Sequence, residues 1–272
     1  MVEIMKIGII GYGSMGKMLA DKFSSAKIVE NKEIFISNRN ADKLQDLVDI
    51  YSICEGNAKT AENADVLFIC VGPYQIKEVL ESIIDSIKSD TLLVSLNEAV
   101  SFEMISKIID HKTAKVIPSL TAEINRSETL ISYNEQVPEQ DKETLKSLLS
   151  CIGNVYELPE DQLAIASDLV SCMPGFIAAL FDVFAYCAMG YALMDKKQII
   201  KMLLNTLDAS STLINSKGLA FDQVVRRVAT PGGITIEGTN IIYEKFPDIV
   251  DEIYQKTLQK GKDTAERISK NF

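Results

Sequence analysis

Short apolar runs alternate with helix-patterned stretches over the first half of the chain. Lys6 to Ile10, Glu33 to Ser37, Val66 to Val71 and Leu92 to Leu96 read as strands. The Val66 run lacks apolar–polar alternation, as expected of a parallel strand covered on both faces. Helical patterns follow GYGSMG to about Phe23, and cover Ala41 to about Val48, Tyr74 to Lys88 and Phe102 to Ile109. Lys115 to Ile117, Thr129 to Ser132 and Asn154 to Glu157 read as the closing strands. This rhythm predicts a doubly wound α/β domain. After Leu158-Pro159-Glu160 no strand signal remains. Leu163 to Met194, Lys196 to Asn215, Ala220 to Arg227 and Asp248 to Lys270 all read as helix. The expected boundary is therefore residue 158, with an α/β domain over 1–158 and an all-α domain over 159–272.

The segment Leu163 to Met194 is apolar enough to raise a membrane span. Asp168 and Asp182 interrupt it, Pro174 lies inside it, and no positive cluster precedes it. A carboxylate near a bilayer centre costs about 2.5–3.5 kcal/mol on insertion scales. The expectation is a helix buried in a soluble assembly, with no membrane partner.

Composition narrows the chemistry. With 272 residues, 47% hydrophobic and 24% charged, the chain can build a core without staples. Its 28 Lys and Arg against 38 Asp and Glu give a net charge of −10, which argues against nucleic acid as a partner. A single histidine, His111, excludes two-His metal sites and His relays. It is expected in a surface loop and has no assigned role. The five cysteines are odd in number and scattered, so neither a disulfide framework nor a metal site is expected. The N-terminal MVEIMKIGIIGYG does not read as a signal peptide, and a cytoplasmic location is expected.

Gly11-Tyr12-Gly13-Ser14-Met15-Gly16 fits GxGxxG, directly after a strand and opening a helix. Gly11 permits the tight turn, Gly13 lets backbone approach a pyrophosphate, and Gly16 allows close helix–strand packing. The helix N-terminus offers free N–H groups to the phosphates. This is the signature of a dinucleotide-binding Rossmann domain. Where NAD-binding domains place a carboxylate for the ribose 2′-hydroxyl, this chain has Ser37-Asn38-Arg39. Neutral donors and a guanidinium suit a 2′-phosphate, so NADP(H) is expected over NAD(H). Lys43 could assist. The end of the Val66 strand, Cys70-Val71-Gly72-Pro73, should also border the cofactor. Cys70 itself reads as a core residue, since nothing nearby in sequence activates it.

A second candidate is Ala229-Thr230-Pro231-Gly232-Gly233-Ile234-Thr235, between two helical stretches. If a helix begins there, its free N–H groups make a carboxylate site. A plain helix cap explains the threonines equally well.

With GYGSMG, SNRN, FICVGP, VIPS at 116–119, DLVSCMPGF at 168–176 and ATPGGIT, the chain resembles the pyrroline-5-carboxylate reductase family over essentially its whole length. VIPS together with SDLVSC is similar to a divergent, ComER-like branch. The resemblance implies an N-terminal Rossmann sheet with an all-α C-terminal dimerisation domain. It implies NADPH-dependent reduction of a small cyclic imino acid, 1-pyrroline-5-carboxylate, to L-proline. Cofactor contacts carry over to Gly11, Ser14, Met15, Gly16, Asn38 and Arg39. Gly232 and Gly233 would hold the substrate carboxylate through their amides, and Thr235 would bond the ring nitrogen. Thr230 supplies the hydroxyl before the proline, and Ser119 stands on the substrate side. The partner would be a second copy of the chain, joined through the C-terminal helices, with larger oligomers left open.

The chain departs from the family pattern at Gly72, Ser119, Asn97-Glu98-Ala99 and Cys172-Met173. Two rival readings follow. One is a hydroxyacid dehydrogenase, for which Lys201 and Asn205 have suitable spacing. The other is a cofactor-binding regulatory protein without turnover.

Overall fold

Every residue of β1 (Ile7–Ile10) is buried, and three of the four are isoleucine. β-branched side chains packed on both faces make this the spine of a sheet. The computed structural model describes residues 5–191 and 193–272. After β1 come α1 (Ser14–Ser25), β2 (Ile34–Ser37), β3 (Ser52–Ile53), α2 (Asn57–Asn63), β4 (Val66–Ile69) and α3 (Ile76–Ile83). They are followed by β5 (Leu92–Ser95), α4 (Phe102–Ser106), β6 (Thr113–Ile117), β7 (Ser127–Tyr133), α5 (Glu139–Leu149) and β8 (Gly153–Glu157). The strands form one sheet in the order β3-β2-β1-β4-β5-β6-β7-β8. All neighbours run parallel except β6 and β7, which are antiparallel. Chain order reverses between β1 and β4, the switch point where ligands bind in open α/β sheets.

Two apolar layers cover the sheet. One packs Leu19 and Phe23 of α1 with Leu145, Leu148 and Leu149 of α5. The other packs Ile76, Val79, Leu80 and Ile83 of α3 with Ile268 near the C-terminus.

The remaining elements are helical: α6 (Leu163–Ser167), a π-turn over Asp168–Cys172, α7 (Met173–Ala188), α8 (Lys196–Lys217), α9 (Phe221–Val228) and α10 (Ile234–Ser269). By internal packing, one compact unit runs to Cys172 and includes Leu258–Phe272, and a second spans Met173–Thr257. The change to helix follows β8, while the packing division falls at Cys172. The difference arises because α6 lies on the sheet unit: Leu163 packs with Ile117 and Leu130.

Several elements differ from the pattern-based expectation. Ala41–Leu47 is a run of tight 3₁₀ turns, not an α-helix. The two-residue β3 and the seven-residue α2 are too short to show a period. α10 begins at Ile234, not near Asp248, and carries Pro247 inside it. The expected long apolar helix breaks into α6, the π-turn and α7. Pro174 cannot donate a backbone hydrogen bond, so the regular ladder is interrupted there.

Candidate functional site

The turn after β1 is pinned by steric fit. Gly11 has φ +98°, and an added Cβ there would lie 2.8 Å from the Cys70 carbonyl oxygen. A Cβ on Gly16 would lie 2.0 Å from the Gly11 carbonyl oxygen. Both glycines let the loop fold onto the first turn of α1. Gly13 differs: a Cβ there would meet nothing within 4 Å. It is the N-cap of α1, and its bareness leaves backbone accessible from outside.

Two consecutive amides tie this loop to the end of β2. Gly11 N–H donates to the Ser37 carbonyl at 2.9 Å. Tyr12 N–H donates to Asn38 Oδ1 at 2.9 Å. Asn38 Nδ2 in turn donates to the Asn40 carbonyl at 2.8 Å. Ser37 is buried, and its hydroxyl donates to Asn57 Oδ1 at the start of α2.

A cleft of about 590 Å³ opens over the carboxyl ends of β1, β2 and β4. Of the expected cofactor residues, Gly11, Gly13, Asn38, Arg39, Cys70, Val71 and Gly72 line it. Ser14, Met15, Gly16, Ser37 and Pro73 do not. Gly16 and Ser37 shape the loop from behind, Met15 packs on the core, and Ser14 borders a neighbouring groove with Lys17. Arg39 and Lys43 are exposed on the cleft, and among the described residues neither has an ion-pair partner. An anion at this end of the cleft would meet two free cations. Glu78 is the carboxylate on the α3 side of the cleft.

Burial pushes the Cys70 thiol well above its ordinary value, away from the thiolate that a nucleophile needs. Asn97 Nδ2 donates to the Val71 carbonyl at 2.8 Å and fixes the loop after β4. Sequence reasoning missed Gly56, Asn57 and Gln75 in the cleft wall. The Gly56-Asn57 pair is itself a turn signal, and Gly56 has φ +88°.

The substrate-side candidates lie apart in sequence. Ser119 is buried, and its N–H donates to Ser127 Oγ at 3.0 Å. Nearby, Ser171 Oγ donates to the Pro118 carbonyl at 3.3 Å. Asp168 is also buried. Burial and then Asp168 hold the Cys172 thiol above its ordinary value.

In the second unit, Thr230, Pro231 and Gly232 are exposed, and Gly233 N–H donates to the Thr230 carbonyl at 2.9 Å. Gly232 has φ +76°, a conformation that favours glycine. This turn opens directly into the 36 residues of α10, with the half-buried Thr235 in its first turn. The first N–H groups of such a helix lack intrahelical acceptors. Lys201 and Asn205 are exposed on α8, outside the cleft.

α7 leaves Val183, Phe184 and Tyr186 exposed and buries only Ala185. Glu160–Ala188 is the one helical stretch among the described residues long and apolar enough to cross a membrane.

Comparison with known proteins agrees with this geometry. Residues 6–98 match the family model described as NADP oxidoreductase, coenzyme F420-dependent. Residues 160–264 match the model for pyrroline-5-carboxylate reductase dimerisation. The chain is similar to pyrroline-5-carboxylate reductase 3 of Bacillus subtilis, 31% identical over 97% of this chain and 98% of that protein. It is also similar to ComE operon protein 4 of the same organism, 26% identical over 98% and 99%. A crystal structure of Plasmodium falciparum pyrroline carboxylate reductase with NADP bound superposes with a TM-score of 0.84, at 20% identity, covering 96% of this chain and 98% of that one.

Proposed function

The chain belongs to the pyrroline-5-carboxylate reductase family of NAD(P)-dependent oxidoreductases, and from that premise we propose that it reduces a small cyclic imino acid with NADPH, 1-pyrroline-5-carboxylate to L-proline. The observation that carries the cofactor half is the cleft at the switch point, walled by Gly11 and Gly13 and fronted by the unpaired Arg39 and Lys43. Its shape and charge fit a dinucleotide with a 2′-phosphate. When bound, the nicotinamide supplies the hydride.

The chain's own residues bind and orient. The bare Gly13 backbone and the N-terminus of α1 receive the pyrophosphate. Arg39 and Lys43 receive the 2′-phosphate. Gly232 presents its amide to the substrate carboxylate, and Gly233, whose N–H is held by the Thr230 carbonyl, keeps the turn in shape. Thr235 hydrogen-bonds the ring nitrogen of the imine. Thr230 shapes the loop through the bond its carbonyl accepts from Gly233, and Ser119 is assigned to the substrate. An iminium is already electrophilic, so positioning is the main demand on the protein.

The second unit carries the family's dimerisation segment. We assign its exposed apolar side chains to a homodimer, not to a membrane or nucleic acid, and place the protein in the cytoplasm.

The test is NADPH oxidation across a panel of cyclic imino acids. Turnover should be highest with 1-pyrroline-5-carboxylate. Thr235→Ala should lower kcat/KM by about 10- to 100-fold, the value of one hydrogen bond to a charged group. Tight NADPH binding without turnover of any imine would replace this reading with a non-catalytic one.

A further inference from the structure

Asn38 stands where the family resemblance puts a phosphate contact, yet its side chain is already engaged at both ends. Oδ1 accepts from Tyr12 N–H at 2.9 Å, and Nδ2 donates to the Asn40 carbonyl at 2.8 Å. Its neighbour Arg39 has no such commitment and is exposed on the cleft.

The geometry explains why an asparagine is there. β1 and β2 pair in register from Ile7↔Ile34 to Ile10↔Ser37. The next rung is Gly11 N–H to the Ser37 carbonyl. Beyond it the strands part, because the β1 chain turns into the glycine loop. Asn38 Oδ1 then takes the place of a backbone carbonyl and adds one more rung, to Tyr12 N–H. The loop that must present Gly13 to a pyrophosphate is thus held at two successive amides. An aspartate could accept from Tyr12, but it could not donate to Asn40, and its second oxygen would face that carbonyl.

We propose that Asn38 is a positioning residue: it acts through Tyr12 N–H to hold the glycine loop in its pyrophosphate-binding shape, and Arg39 with Lys43 alone reads the 2′-phosphate. This rests on the dinucleotide reading of the cleft. It makes a sharp distinction, because the pyrophosphate is common to NADPH and NADH while the 2′-phosphate belongs to one of them.

The experiment is titration of the full-length protein with NADPH and with NADH, followed by nucleotide fluorescence. No substrate is needed, so an error about the imine does not affect the result. Asn38→Ala should weaken both nucleotides by a similar factor, about five- to tenfold for a lost hydrogen bond at a loop amide, and leave their affinity ratio unchanged. Arg39→Ala should weaken NADPH by about tenfold or more and leave NADH within about twofold. Selective loss of NADPH in Asn38→Ala would overturn the proposal, as would no loss of either nucleotide. Should Asn38→Ala fail to fold, Asn38→Asp decides the matter with NADH. Its Oδ still accepts from Tyr12, so NADH should bind within about threefold of wild type, and a loss of tenfold or more overturns the proposal. A wild type that binds NADH as tightly as NADPH, with Arg39→Ala neutral, would refute the 2′-phosphate reading while an equal loss in Asn38→Ala still upheld the loop tie. A wild type that binds neither nucleotide would refute the dinucleotide reading and this proposal with it.

Discussion

Two glycines of one motif do different work, and a single methyl group tells them apart. At Gly16 the added carbon would sit 2.0 Å from a backbone oxygen that cannot move without the loop. At Gly13 it would meet nothing of the protein. Gly16→Ala should therefore destabilise the apo protein by about 1–3 kcal/mol, as overpacking does. Gly13→Ala should leave apo stability within about 0.5 kcal/mol and weaken both nucleotides. Thermal melts with and without nucleotide separate the two; a Gly16→Ala melt equal to wild type would refute the packing argument. The motif was legible in the sequence because its spacing is local. The split of roles was not, since it depends on which atoms lie across from each Cβ.

Among the elements, β6 holds a lysine where apolar packing is expected. Lys115 is 2% exposed. Its Nζ donates to the Glu98 carbonyl at 2.8 Å and to Glu160 Oε1 at 3.0 Å, and lies 5.8 Å from the Phe102 ring centroid. Glu160 Oε1 also accepts from Phe102 N–H at 2.9 Å. The pair joins the turn between β8 and α6 to the sheet beside the loop after β5. Its partners differ in burial, since the Glu160 side chain keeps 32% of its exposure. Removing the carboxylate strands a buried cation, whereas removing the lysine leaves a carboxylate that still has water and an N–H. Glu160→Ala should cost about 3 kcal/mol, and Lys115→Met about 1 kcal/mol or less. Urea denaturation of both variants checks this, and equal losses would contradict it. Nothing in the strand pattern announced the pair: Glu160 lies 45 residues further along.

At the scale of the whole molecule, one titrating group stands alone in its pH range. His111 is half-buried before β6 and lies 2.7 Å from the Thr91 carbonyl. Burial lowers its pKa from the ordinary 6.5, and the weaker effect of the Thr91 bond opposes this. The folded protein thus holds this proton less tightly than the unfolded chain does. Its contribution to stability is complete above about pH 6.5 and is lost as pH falls from there through the folded value. Glu157, held below the ordinary carboxylate value by Lys146, contributes above 4.5 and loses that at lower pH. Between pH 7 and 5 the Tm of wild type should fall, and that of His111→Gln should fall less. Parallel Tm profiles would assign the slope elsewhere. The apolar surface of α7 gives a further expectation at this scale. Light scattering should return twice the chain mass, and Val183→Asp should shift it to the single-chain mass at micromolar concentration. An unchanged dimer would place the interface on another face.

The sequence by itself determined the class of each half of the chain and the place of the nucleotide loop. Strand periodicity, GxGxxG and SNRN act over a few residues, so spacing encodes them. The helices were legible where their periods were long and were missed where, as in α2, they span two turns. Only tertiary structure decided that Leu258–Phe272 returns to the sheet unit and buries Ile268 against α3. It also decided that Asp168 sits buried in an otherwise apolar run, that Lys115 finds Glu160, and that the Asn38 side chain faces the glycine loop. The contacts among these join groups distant in the chain, and their pairing depends on desolvation and hydrogen-bond geometry that exist only once the sheet has formed.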